Sequence, residues 1–146
     1  DWLPDDDLAG KRATLIADAL ENHRASLGDP LAVLAALGGR EFAAMAGAIL
    51  AARVEEGAGI LHGTTALAAA SALWAIDPEA VAHCLLAEAA PGAGSRAAER
   101  LGLRPLLAEG LAAGEGTAAA LAVSTVRDAL ALHAGFAAQA RAGQHH

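Results

Sequence analysis

Alanine constrains this chain more than any other residue: it fills 43 of 146 positions, in runs bounded by glycine and proline. Alanine favours the helix and adds almost no girth to it, so neighbouring backbones can approach closely. Leu, Ile, Val, Phe, Met and Trp together number 36, enough for a real core in a chain of this length. A single domain over residues 1–146, built on closely packed helices, is the expectation.

Several function classes fall away on composition. A lone Cys84 excludes a disulfide framework and any cysteine-based zinc site. His23, His62, His83 and His133 are scattered, and none forms a His-x-x-x-His pair with an acid, so no metal site is expected. The formal charge of −7, the 3% aromatic content and the absence of a Lys/Arg cluster argue against nucleic acid as a partner. No apolar run reaches membrane-spanning length unbroken, and the acidic start, Asp-Trp-Leu-Pro-Asp-Asp-Asp, is no signal peptide. A cytoplasmic protein that does not engage membranes is the default.

Punctuation divides the chain. An amphipathic helix spans Leu8 to Ser26, with acids before its first turn, and stops at Gly28-Asp29-Pro30. A short helix follows to Leu37, ending at Gly38-Gly39, and a thin alanine helix runs from Arg40 to Glu55. The pattern then changes. Gly59-Ile60-Leu61 predicts a short buried strand, a turn at Gly63, and a helix to Ile76. Val81 to Ala87 predicts a second strand, Pro91 to Ser95 a loop with Ser95 as helix cap, and Ser95 to Leu101 a helix. Arg104-Pro105-Leu106-Leu107 leads into a turn of helix, and Thr117 caps a long helix to near Ala142. Strands alternating with helices predict an α/β fold: a partial Rossmann-like parallel sheet with Ala-rich helices and a long C-terminal helix. Two strands do not make a stable sheet, so the expectation includes a partner or a missing piece.

Isolated candidates carry little chemistry. Cys84 beside His83 invites a nucleophile reading, but neighbours on a strand face opposite sides, which favours a buried structural thiol. Ser71, Ser95 and Ser124 lack a Gly-x-Ser-x-Gly setting. Trp2 and Trp74 read as packing residues, and His145-His146 as a tag remnant.

Three stretches, in order, go beyond composition: Leu34-Ala35-Ala36-Leu37-Gly38-Gly39-Arg40-Glu41-Phe42-Ala43-Ala44-Met45-Ala46-Gly47-Ala48, then Leu101-Gly102-Leu103-Arg104-Pro105-Leu106-Leu107, then Gly114-Glu115-Gly116-Thr117-Ala118-Ala119-Ala120-Leu121-Ala122. Together they resemble the carboxy-terminal half of the nicotinate-nucleotide–dimethylbenzimidazole phosphoribosyltransferases, which make the lower-ligand nucleotide of cobalamin. The resemblance implies transfer of ribose 5-phosphate from nicotinate mononucleotide to a benzimidazole-type base, with no cofactor. It implies that Glu115 is the general base. A carboxylate between Gly114 and Gly116 can lie close to a flat ligand, and shielding from water raises its proton affinity toward the useful range. Lys11 falls where the family has a lysine near the mononucleotide phosphate, and Gly63 matches a glycine bordering the nicotinate pocket.

The departures are specific. The family's Asp before that glycine is His62 here, and the following Phe is Thr64. Its Ser-His-x-Ser-Ala-Glu-Pro-Gly loop has become Ala87-Glu88-Ala89-Ala90-Pro91-Gly92, losing its serine and histidine. The family's amino-terminal half has no counterpart in this sequence. The expected assembly is therefore a homo-oligomer or a pair with a complementary amino-terminal-half subunit. The competing reading is a catalytically degenerate scaffold or regulatory subunit of such an enzyme.

Overall fold

The computed structural model describes residues 6–107 and 116–143. Six α-helices lie in chain order among them: α1 (Asp6–Asn22), α2 (Pro30–Leu37), α3 (Arg40–Val54), α4 (Gly63–Ile76), α5 (Ala93–Arg100) and α6 (Thr117–Gly143). The strands are β1 (Gly59–Leu61), β2 (Cys84–Glu88) and β3 (Pro105–Leu107). Among the described residues they form one parallel sheet in the order β1-β2-β3. The register pairs Leu61 with Leu86, and Leu86 in turn with Pro105.

The α/β expectation holds, with three local corrections. Two strands were expected and three are found; the turn of helix expected after Leu107 lies outside the described residues. Pro105–Leu107 is a third strand, made by pairing with Leu86 and Glu88 rather than by any local pattern. The second strand starts at Cys84, not Val81, because Asp77 Oδ1 accepts from Glu79 N–H at 2.9 Å and, with Pro78, sets a 3₁₀ turn over Pro78–Val81. Ser95 does not cap α5. That helix starts at Ala93 behind Gly92, whose φ of +59° suits glycine, and Ser95 Oγ instead lies 3.3 Å from Glu99 Oε1.

Other boundaries follow their local chemistry. Asp29 Oδ1 accepts from the N–H groups of Leu31 and Ala32, and Pro30 occupies the first turn of α2. The first predicted helix ends as α1 at Asn22 and resumes as a 3₁₀ turn over Arg24–Ser26. At the other end of the chain, α6 begins at Thr117 itself, and the Gly116 carbonyl accepts the first helical bond from Ala120 N–H.

Alternation along the strands sends side chains to both faces of the sheet. Leu61, Cys84 and Leu86 join Ile49 of α3, and Leu67, Ala70 and Leu73 of α4, in the main core. Ile60, Ala87 and Leu107 face the other way, onto Ala118 and Ala122 at the start of α6. Ala87, Ala118 and Ala122 are completely buried, so the centre of the contact between α6 and the sheet is made by methyl groups, with Ile60 and Leu107 beside them. The alanine bias therefore serves a close helix–sheet contact. Gly94 serves another: a Cβ there would lie 2.5 Å from Ala90 Cβ and 3.1 Å from Thr64 Oγ1. Gly94→Ala is expected to destabilise the chain by about 1–3 kcal/mol through this overlap. A lowered thermal midpoint is the reading, and an unchanged midpoint would show that α5 has room to shift.

Candidate functional site

Parallel strands place their carboxyl ends, and the amino ends of the helices that follow, on one edge of the sheet. Here that edge collects His62 and Gly63 after β1, Glu88 at the end of β2, and Gly116 just ahead of α6. Gly63, at φ +82°, makes the turn from β1 into α4. A side chain there would be strained, which explains the glycine.

His62 joins these elements. Its Nδ1 accepts the Gly116 backbone N–H at 3.0 Å. Its Nε2 lies 3.6 Å from Glu88 Oε2. Since Nδ1 is an acceptor, the neutral ring carries its hydrogen on Nε2, facing the carboxylate. Glu88 is 6% exposed, the only buried charged residue among those described. A buried carboxylate needs polar company, and the imidazole N–H supplies part of it. These three residues are far apart in sequence. Only the parallel topology brings them together.

The residues singled out from sequence fare differently. His62, Gly63 and Gly116 meet at this edge. Lys11 is exposed on α1. Gly114 and Glu115 lie outside the described residues, as do Trp2 and His145-His146. Glu88 was missed as a site residue. The available signal was a pair of departures from the family motif, one at each strand end.

Beside this edge an apolar groove of about 720 Å³ opens between α2, α4 and the start of α5. Thr64, Ala93, Leu34, Leu37, Phe42 and Ala68 are among the residues that line it.

The two remaining chemical candidates are structural. Trp74 packs against the core, with the Arg100 guanidinium 5.5 Å from its ring centre. Cys84 is buried, and burial pushes its thiol above the usual range. The expected opposition of His83 and Cys84 is not found: His83 precedes the strand, and its Nε2 lies 3.9 Å from Cys84 Sγ. His83 Nε2 also lies 3.0 Å from the Ile49 carbonyl oxygen, to which it donates. With its hydrogen committed there, that nitrogen cannot take the thiol proton. Among the described residues no group of three or more His, Cys, Asp or Glu is placed to hold a metal ion. No described helix is long and apolar enough to cross a membrane.

Known proteins match this arrangement in sequence. The family model described as phosphoribosyltransferase matches residues 3–143. The nicotinate-nucleotide–dimethylbenzimidazole phosphoribosyltransferase of a Sinorhizobium species is 49% identical over 134 residues, covering 91% of this chain and 40% of that protein. The protein of the same name from Brucella anthropi is 47% identical over 138 residues, covering 94% of this chain and 41% of its own length. That from Rhizobium leguminosarum bv. trifolii is 44% identical over 149 residues, covering 98% and 44%. The chain thus spans about two fifths of the length of these relatives. No solved structure matches it. With a match over almost its whole length and close to half its residues shared with these relatives, the chain belongs to the phosphoribosyltransferase family.

Proposed function

We infer that this chain is the carboxy-terminal part of a transferase that moves ribose 5-phosphate from nicotinate mononucleotide to an aromatic base such as 5,6-dimethylbenzimidazole, a step in making the cobalamin lower ligand. The names of the relatives support the reaction class. The observation that carries it is the meeting of His62, Gly63 and Gly116, the residue that follows Glu115 in sequence, at the carboxyl edge of the sheet. The amino ends of α4 and α6 converge there, and helix amino ends favour a phosphate group.

The chemistry is a displacement at the ribose anomeric carbon. Glu115 takes the proton from one benzimidazole ring nitrogen. The other ring nitrogen attacks C1, the bond from C1 to the nicotinate nitrogen breaks, and its electron pair neutralises the departing pyridinium. Gly114 and Gly116 leave room for the flat base, Gly63 and His62 border the nucleotide, and Lys11 is the cation for its phosphate. Positioning and charge supply the rate.

The complete site needs more than this chain, as a homo-oligomer or with a complementary amino-terminal part, in the cytoplasm. Exposed apolar residues support such a partner: Leu15 and Ile16 on α1 and Leu130, Leu132 and Phe136 on α6 are each more than 60% exposed. The changed residues His62, Thr64 and Ala87–Ala90 favour the alternative of a scaffold or regulatory subunit without activity.

Nicotinate release decides between them. Nicotinate mononucleotide and dimethylbenzimidazole are incubated with the chain alone and with the amino-terminal part of the Sinorhizobium relative, and free nicotinate is followed by chromatography. Release in the combined sample is expected. None in either sample would leave the scaffold reading.

A further inference from the structure

Three places outside the proposed chemistry invite a role: the apolar groove at α2, the hollow lined by Trp74 and Cys84, and the outer side of β1. The last carries furthest, because β1 is built like the inner strand of a wider sheet. In the order β1-β2-β3, β1 and β3 are the two edges among the described residues. Helices cover both faces of β1, as they do for the strands of parallel sheets. Leu61 is 5% exposed, in the core with Ile49 of α3 and Leu67 of α4. Ile60 packs the other way, with Ala118 and Ala122 of α6. Among the described residues no strand pairs with the outer side of β1.

The hydrogen-bond pattern fixes which groups face outward. Gly59 N–H donates to the His83 carbonyl at 3.2 Å, and Gly59 and Leu61 stand opposite Cys84 and Leu86. In a parallel ladder every second residue turns both its N–H and its C=O toward one neighbour. Gly59 and Leu61 therefore face β2, and the N–H and C=O of Ile60 face away from it. The other edge is finished differently. Pro105, opposite Leu86, has no N–H to give β2, so Leu106 turns inward and the proline stands outward, where it blunts the edge. Pro105 and Leu106 are also exposed. The sheet is closed to growth at β3 and ready for it at β1.

We propose that the outer side of β1 takes a parallel β-strand from the amino-terminal part of the enzyme, seated on the N–H and C=O of Ile60. The identity of the occupant rests on the transfer reading above. This chain spans about two fifths of the length of its relatives, so most of each relative lies outside the match and is available to supply the strand. The occupant is apolar on both sides, as a strand between two helix layers must be. A second copy fits less well, since two β1 edges related by a two-fold axis would run antiparallel. The position also serves the site. β2 and β3 lie to one side of β1, and the helices α4 and α5 that join them share one face of the sheet. A strand on the other side, the start of a unit winding away from β1, makes a switch point there, and ligands bind in the crevice at such a point. His62 and Gly63 stand at that end of β1. The loop after the added strand supplies the facing wall.

Amide hydrogen exchange in the nitrogen-labelled full chain tests this, alone and mixed with the unlabelled amino-terminal part of the Sinorhizobium relative. In the chain alone, Ile60 is expected to exchange about tenfold faster than Leu61, whose N–H is bonded to β2. In the mixture Ile60 slows about tenfold, as one added backbone hydrogen bond implies, while Leu107 on the far edge keeps its rate. Ile60→Pro removes the outward donor at a position a strand edge tolerates, and Ile60→Ala trims the same side chain but keeps the N–H. The proline variant is expected to bind the amino-terminal part about tenfold more weakly than the alanine variant. Should Ile60→Pro fail to fold, the exchange of Ile60 against Leu107 in the native chain carries the test. The proposal is overturned if the amino-terminal part does not bind, if it binds with Ile60 exchange unchanged, or if the two variants bind alike. Protection of Ile60 that grows with the concentration of the chain alone overturns it too, and assigns the edge to a second copy. Nicotinate release separates the two readings: release with Ile60 unprotected removes the added strand and keeps the reaction, and protection without release does the reverse.

Discussion

Glu115→Gln slows nicotinate release from the complemented enzyme by about 100- to 10,000-fold, the range for loss of a general base. The amide has the size and planarity of the carboxylate and keeps a hydrogen-bonding oxygen. It cannot accept a full proton, so the ring nitrogen opposite the attacking one stays protonated and positive charge builds on the base as the new bond forms. Binding of nicotinate mononucleotide is expected to persist, since its phosphate and ribose contacts lie elsewhere, so the loss falls on kcat rather than on the KM for the mononucleotide. Glu115→Asp retains the function but draws it back by one methylene, and an intermediate rate is expected. A Glu115→Gln enzyme as fast as the native one would exclude this carboxylate as the base and move the proton to another acceptor.

The coarse fold was readable because punctuation is local. Gly28-Asp29-Pro30, Gly38-Gly39 and Asp77-Pro78 each end one helix or begin another through groups within a few residues, and each does so in the structure. Strand β3 was not readable. Its three residues have no alternation, a proline begins them, and their extended shape comes from pairing with β2, whose residues lie almost twenty positions earlier. A proline can occupy the start of an edge strand, where no ladder hydrogen bond is asked of it. The site divides in the same way. Gly63 and Gly116 announce themselves, because turns at positive φ leave a glycine in the sequence. Glu88 did not, since nothing local distinguishes it from a solvated acid. Its burial follows from its place at the end of the central strand, and its meaning from His62 across the sheet edge. Contacts between elements, rather than residue patterns, carry that information.

The core offers the sharpest test of the packing. Leu67 is completely buried on α4, against a background in which many neighbours carry a single methyl: Ala46, Ala69, Ala70, Ala90 and Ala98 belong to the same cluster. Such neighbours have no spare rotamers with which to close a gap, and tight alanine contacts keep their helices from sliding inward. Leu67→Ala is therefore expected at the upper part of the usual range, about 4 kcal/mol of lost stability, since the cost grows with the cavity left behind. That is a large share of the roughly 5–15 kcal/mol typical of a folded domain. In urea the midpoint falls while the slope stays the same, the signature of lost stability rather than altered compactness. Phe136→Ala is the control: the ring is 68% exposed, and a change within about 0.5 kcal/mol is expected when no partner covers it. A larger loss at Phe136 than at Leu67 would invert the picture, placing the dominant apolar contact of the isolated chain on the outer length of α6, as self-association through that helix would do, instead of in the layer between α4 and the sheet.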